Sequence, residues 1–232
     1  MANDAFIVSA TRTAIADFLK SLSGFSATDL GGLAIKEAVK RAGIEVDTVD
    51  DVIMGCVLQG GIGQAPARQA AIKGGIPEQI PALTVNKVCG SGLKSIMLAA
   101  QSIRAGDCDC IVAGGFESMT NAPYFMDSKI RSGAKFGDLK MKDMMVHDGL
   151  WCSFKNWHMG NAAELTAKKA GITREEMDQY AVSSQEKALK AQADGKFDEE
   201  IFPVEVPQRK GDPIVFNKDE SPRQTSVELL AR

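Results

Sequence analysis

Ala82-Leu83-Thr84-Val85-Asn86-Lys87-Val88-Cys89-Gly90-Ser91-Gly92-Leu93 carries a strand, a turn and the start of a helix in one short stretch. Pro81 introduces a run that predicts a strand from Ala82 to Val88. Gly90-Ser91-Gly92 turns the chain. Leu93 to Arg104 follows, with Ile96, Met97, Ala99, Ala100 and Ile103 at helical spacing, and predicts an apolar helix. A strand that feeds a helix through a glycine turn is the unit from which parallel α/β sheets are assembled.

The same rhythm extends to either side. Ala5-Phe6-Ile7-Val8 reads as a short buried strand. Thr28-Asp29 is a candidate N-cap for a helix with Leu30, Leu33, Ala34, Ala38 and Val39 on one face, stopped by Gly43. Asp51 to Leu58 predicts a strand, Gly60-Gly61-Ile62-Gly63 breaks it, and an Ala-rich helix runs from Pro66 to Lys73. Asp109 to Ala113 predicts a further strand, closed by Gly114-Gly115. Strands separated by helices of this length imply an α/β fold with a mostly parallel sheet and helices on both faces. Beyond residue 120 the rhythm changes to an irregular stretch up to 155, helices at 160–170 and 174–194, and extended pieces from 201 to 217. The expected organisation is therefore an α/β domain over 1–120, followed over 121–232 by a separate lobe or a large insertion.

Composition bounds the function classes. The 232 residues are 44% apolar and 25% charged, with 27 Lys plus Arg against 30 Asp plus Glu and a net charge of -3. That is the make-up of a globular protein with a real core, and it gives no basic footprint for nucleic acid. No apolar run is long enough to span a bilayer, and Met1-Ala2-Asn3-Asp4-Ala5-Phe6 lacks a leader pattern, so no membrane partner and a cytoplasmic location are expected. The five cysteines, Cys56, Cys89, Cys108, Cys110 and Cys152, are an odd number at irregular spacings and read as reduced thiols. Cys108-Asp109-Cys110 has no second ligand pair, and the only histidines are His147 and His158, so no metal site is expected. Within the acidic chain, 127–143 is locally cationic through Lys129, Arg131, Lys135, Lys140 and Lys142; a solvated loop is the simplest reading.

Cys89 is the sharpest chemical signal. A cysteine that ends a strand and opens a glycine turn into a helix has unpaired N–H groups and the positive end of the helix dipole beside it, surroundings that favour a thiolate nucleophile. Gly90 and Gly92 leave room for a carbonyl substrate, and the same N–H groups suit a developing oxyanion. The alternative is an inert buried thiol, which is the reading for the other four cysteines. Gly61-Ile62-Gly63-Gln64-Ala65-Pro66 is a poor dinucleotide loop, because Pro66 stands where a third glycine is needed. His158, between Trp157 and Met159, is a candidate base or substrate contact; His147 has no stronger claim.

Several segments together resemble the thiolase family of acyl-CoA C-acyltransferases, along essentially the whole chain. They are Ser9-Ala10-Thr11-Arg12-Thr13, Gln64-Ala65-Pro66-Ala67-Arg68-Gln69-Ala70, Asn86 to Ser95, Gly114-Gly115-Phe116-Glu117-Ser118-Met119, Asn121-Ala122-Pro123-Tyr124 and His158-Met159-Gly160. The resemblance implies a thiolase-like fold, first half plus loop lobe. It implies a reversible Claisen condensation of two acetyl-CoA to acetoacetyl-CoA plus CoA, through an acyl group on Cys89. By the same resemblance Leu150, His158 and Met159 line the pantetheine tunnel, and Arg223 and Ser226 lie where the nucleotide end of CoA is held. The implied substrate is an acyl-CoA thioester with no further cofactor, and the implied assembly is a homodimer or homotetramer, with 83–88 at the dimer contact. The cationic loop is implied in assembly or in meeting the ligand's phosphates.

Departures from the family pattern are equally informative. The family's base lies in a Gly-His-Pro segment that this sequence does not contain, and its second Cys and its water-holding Asn belong to a C-terminal half expected to be absent here. Ala65 stands where Asn is usual, Phe116 where Met is usual, and Leu165 where Asn is usual. Cys89-Gly90-Ser91-Gly92 and His158-Met159-Gly160 resemble the biosynthetic acetoacetyl-CoA type more than the degradative long-chain type. A degradative thiolase, a non-catalytic CoA-binding subunit and a ketoacyl synthase relative are the alternatives.

Overall fold

The structure is a computed structural model that describes residues 4–231. Met1, Ala2 and Asn3, part of the stretch read for a leader pattern, lie outside the described residues, as does Arg232. In chain order the first elements are β1 (Arg12–Thr13), α1 (Ala27–Ala42), β2 (Asp51–Gly55), α2 (Pro66–Lys73), β3 (Ala82–Val85), α3 (Ser91–Ala105) and β4 (Ile111–Gly115). There follow β5 (Tyr124–Met126), β6 (Met141–Asp143), β7 (Trp151–Cys152), β8 (Trp157–His158), α4 (Met159–Ala170) and α5 (Arg174–Ala193). The last are β9 (Ile201–Phe202), β10 (Val204–Val206), β11 (Ile214–Phe216) and α6 (Val227–Leu230). They fall into two compact units: residues up to Thr11 with Ser23–Gly149, and Arg12–Leu22 with Leu150 onward. Residue 120, where the sequence rhythm changes, lies inside the first.

The first unit is organised by a parallel sheet in the order β3-β2-β4. Val52 aligns with Ala82 on one side and Val112 on the other, and Gly55 with Val85 and Gly115. Strand alternation divides β2 between two layers. Val52 and Met54 join Ile35, Val39, Ala67, Ala70 and Phe116 in the core shared with α1 and α2. Ile53 points to the opposite face, against which α3 packs. Parallel strands covered on both faces are what the alternating sequence predicts. β5 and β6 form an antiparallel hairpin whose connection carries Lys129, Arg131, Lys135 and Lys140, while Lys142 lies in β6.

Local sequence explains the helix ends. The α1 cap is Ser26, not Thr28 or Asp29: the Ser26 hydroxyl accepts from Asp29 N–H, and the Asp29 carboxylate accepts from Ser26 N–H at 2.9 Å. Asp29 is thus the N3 partner of a capping box, and Thr28 is buried. Gly43, at φ 65°, closes the helix as expected. A second capping box, Thr173 with Glu176, opens α5.

Two further expectations are corrected. Residues 5–8 form no strand; Phe6, Ile7 and Val8 are 78%, 78% and 72% exposed. An apolar run becomes a strand only where a neighbour accepts its backbone hydrogen bonds, and no described residue pairs with this one. Residues 120–155 are also more ordered than read, holding β5, β6, β7 and short helical turns.

The second unit is built from short pieces. β1 pairs in parallel with β9, β10 with β11 in a hairpin, and β7 with β8 in another. An ion-pair cluster fixes Arg12–Leu22 in it. Arg12 donates to both Asp219 oxygens at 2.8 and 3.0 Å and to Glu200 at 2.7 Å, and its guanidinium lies 5.3 Å from the Phe197 ring centre. Asp219 also accepts from Ile15 N–H, and Glu220 from Asp17 N–H and the Ser21 hydroxyl. No helix among the described residues is long and apolar enough to cross a membrane.

Candidate active site

All three parallel strands end at the same edge of the sheet, the edge where open α/β folds bind ligands. From the end of β3 the chain runs through Asn86, Lys87, Val88 and Cys89 to Gly90, the N-cap of α3. The helix comes unusually close to the sheet because β2 ends in Gly55. A Cβ there would meet the Ser91 carbonyl carbon at 2.5 Å and the Gly92 nitrogen at 2.6 Å. The buried Ser95 hydroxyl, 2.6 Å from the Gly92 and Gly114 carbonyl oxygens, ties the first turn of α3 to β4.

The turn before the helix is held open by side chains. Ser91 Oγ accepts from Lys87 N–H at 2.8 Å and donates to the Val88 carbonyl at 2.6 Å. Asn86 Oδ1 accepts from Val88 N–H at 3.0 Å. Val88 itself has φ 49°, in the left-handed region that β-branched residues avoid. The result is a cysteine raised on a constrained corner: Cys89 is exposed. Burial, the alternative reading for this thiol, does not hold.

The other cysteines differ. Cys56 directly follows β2 and is buried, and its thiol, pushed up to about 12 by burial and then by the nearby Glu117 carboxylate, stays protonated. Cys110 directly precedes β4 rather than lying within it; burial and then Asp50 push its thiol upward. Cys108 is shifted the same way by burial and the surrounding aspartates. Among the described residues no group of three or more His, Cys, Asp or Glu side chains is arranged to hold a metal.

Leu150, His158, Met159, Arg223 and Ser226 all belong to the second unit, and His147 to the first. Leu150 precedes β7 and is half-buried. His158 is the N-cap of α4: its Nδ1 accepts from Gly160 N–H at 3.0 Å, so Nε2 carries the ring proton and remains a donor. Met159 is exposed on the first turn of α4. Arg223 is exposed, and its backbone N–H is anchored on Gln185 of α5 at 2.8 Å. Ser226 caps α6, accepting from Leu229 N–H at 3.3 Å. Arg223 is thus anchored on α5 and Ser226 caps the short helix that packs against α5, whereas His158 and Met159 open a different helix. His147 pairs with Asp148 at 2.6 Å and meets the Phe125 ring edge-on.

Sequence reading missed the residues that shape the corner. Glu117 takes hydrogen bonds from Val57 and Leu58 N–H at 2.8 and 3.1 Å, and the Val57 carbonyl accepts from Asn86 Nδ2 at 3.3 Å. Nothing local to Glu117 in the sequence announces that role; Asn86, a small polar side chain two residues before a strained backbone position, was the available signal.

Fold and site define an α/β protein that presents one cysteine at the carboxyl edge of a parallel sheet. Residues 5–232 match the family described as "Thiolase, N-terminal domain", and the chain belongs to the thiolase family. It is 55% identical over 221 residues to an acetyl-CoA acetyltransferase of Cupriavidus necator, covering 95% of this chain and 56% of that protein. It is 52% identical over 230 residues to an acetyl-CoA acetyltransferase of Pseudomonas aeruginosa, covering 99% of this chain and 58% of that one. A probable acetyl-CoA acyltransferase of Staphylococcus aureus is 51% identical over 227 residues, 97% of this chain and 58% of the relative. The chain thus spans less than two thirds of the length of the curated relatives it matches.

Proposed function

We propose that the protein serves an acetyl-CoA C-acetyltransferase reaction in which Cys89 carries the acyl group. The Cys89 sulfur attacks the thioester carbonyl of acetyl-CoA, the carbonyl–sulfur bond to CoA breaks, and CoA leaves as its thiolate. A carbanion formed at the methyl group of a second acetyl-CoA then attacks the acyl-cysteine carbonyl. The new C–C bond gives acetoacetyl-CoA, and the electron pair returns to the Cys89 sulfur. The observation that carries this reading is the single exposed cysteine on a constrained corner at the start of α3. The names of the relatives support the substrate.

Leu150, His158, Met159, Arg223 and Ser226 are proposed to contact CoA. His158 offers its Nε2 donor, and the exposed Arg223 guanidinium suits a phosphate. The base that removes the methyl proton is proposed to come from the part of the relatives' length that this chain does not span. The proposal includes a cytoplasmic location and a homodimer or homotetramer; the exposed Leu83 and Val88 beside the free edge of β3 support self-association.

Mixing the protein with acetyl-CoA should release one CoA thiol per chain, read with a thiol reagent on the filtrate, and the Cys89→Ala variant should release none. Equal release from Cys89→Ala would refute the proposal.

A further inference from the structure

We propose that Glu117 is a positioning residue for Cys89: through the 56–58 loop and Asn86, its carboxylate holds Val88 in the backbone conformation that presents the nucleophile. The inference rests on the reading of Cys89 as the acyl carrier and assigns the support of that site.

The connection is continuous. β4 delivers Glu117 two residues past its last strand position, and Phe116 N–H donates to the Gly55 carbonyl at 3.0 Å, which locks β4 to the end of β2. Glu117 Oε2 then accepts from Val57 N–H, and Oε1 from Leu58 N–H and, at 3.6 Å, from the Cys56 thiol. Three donors converge on one carboxylate, and the thiol, with its pKa pushed up to about 12, keeps its proton. The loop so fixed turns the Val57 carbonyl toward Asn86 Nδ2, and the other end of that amide accepts from Val88 N–H. An amide that donates at one end and accepts at the other passes orientation from the loop to the corner.

Val88 is where that orientation is needed. A β-branched residue at φ 49° is held only when its surroundings over-determine it. Ser91 grips the corner from the helix side, through Lys87 N–H and the Val88 carbonyl. The Glu117–Asn86 brace grips it from the sheet side. A glycine at 88 takes positive φ without strain and removes the need for the brace.

The test is the rate at which iodoacetamide alkylates Cys89, read by peptide mass, in the wild type, Glu117→Gln, Val88→Gly and the double variant. Glu117→Gln keeps the side-chain shape but sets an amide NH2 against a backbone donor. We expect it to slow alkylation about tenfold in the wild-type background and about twofold or less in the Val88→Gly background. A merely structural role for Glu117 would give the same fold-loss in both backgrounds, and that result overturns the proposal. So does an unchanged rate in Glu117→Gln. Parallel exposure to acetyl-CoA separates the two claims: alkylation without acetylation in the wild type removes the acyl-carrier reading, while the ratio of alkylation rates still decides the brace.

Discussion

Cys56 and Cys89 each follow a strand of one parallel sheet, but one is buried and the other exposed. Burial and then the Glu117 carboxylate push the Cys56 thiol up to about 12, so at pH 8 it stays protonated. Cys89 is exposed at the mouth of a helix. Brief treatment of the native protein with iodoacetamide at pH 8 should therefore label Cys89 and spare Cys56, and both should label after denaturation. Comparable native labelling of the two would show that the end of β2 is not packed as described. Cys89 was legible in the sequence because its signal is local: strand, cysteine, glycine turn, helix. Glu117 was not, because its partners lie some sixty positions earlier in the chain and only the sheet brings them together.

Ala65, the N-cap residue of α2, has φ 46° and is exposed. Chiral residues other than Asn and Asp occupy that region at a cost of about 1–2 kcal/mol. Ala65→Asn should stabilise the first unit by about 0.5–1 kcal/mol, seen as a higher melting temperature; a lower one would contradict the backbone assignment.

In the second unit, burial disfavours ionised Asp219, but the Arg12 guanidinium and Ile15 N–H outweigh it and hold the carboxyl below its ordinary value of 3.8. A carboxylate with a lowered folded pKa stabilises the fold above that ordinary value, and the contribution is lost as pH falls through the folded pKa. Asp219→Asn should therefore cost about 2 kcal/mol at pH 7, and the deficit should shrink as the pH drops below 3.8. A deficit independent of pH would assign the loss to packing. Elements with both a period and a stop signal, such as Pro66–Lys73, read correctly from sequence. Residues 5–8 did not, because hydrophobicity marks the wish of a strand to be covered and not the presence of a partner.

For the whole molecule, the alternation of strands and helices and the recurrent motifs made the α/β class and the family legible together. The pairing of Arg12–Leu22 with distant residues 200–221 was not, since an ion-pair cluster leaves no periodicity in the sequence. The net charge of -3 coexists with a hairpin tip that gathers Lys129, Arg131, Lys135 and Lys140, so an anionic ligand or surface has to be met locally rather than by the global field.

The most direct test of the acyl-cysteine claim is the mass of the protein quenched in acid after brief exposure to acetyl-CoA, with peptide mapping of the adduct and a second sample chased with free CoA. The account predicts one acetyl group, confined to the peptide that carries Cys89 and removed by the chase. An adduct elsewhere, or a Cys89 that stays unmodified, would contradict it.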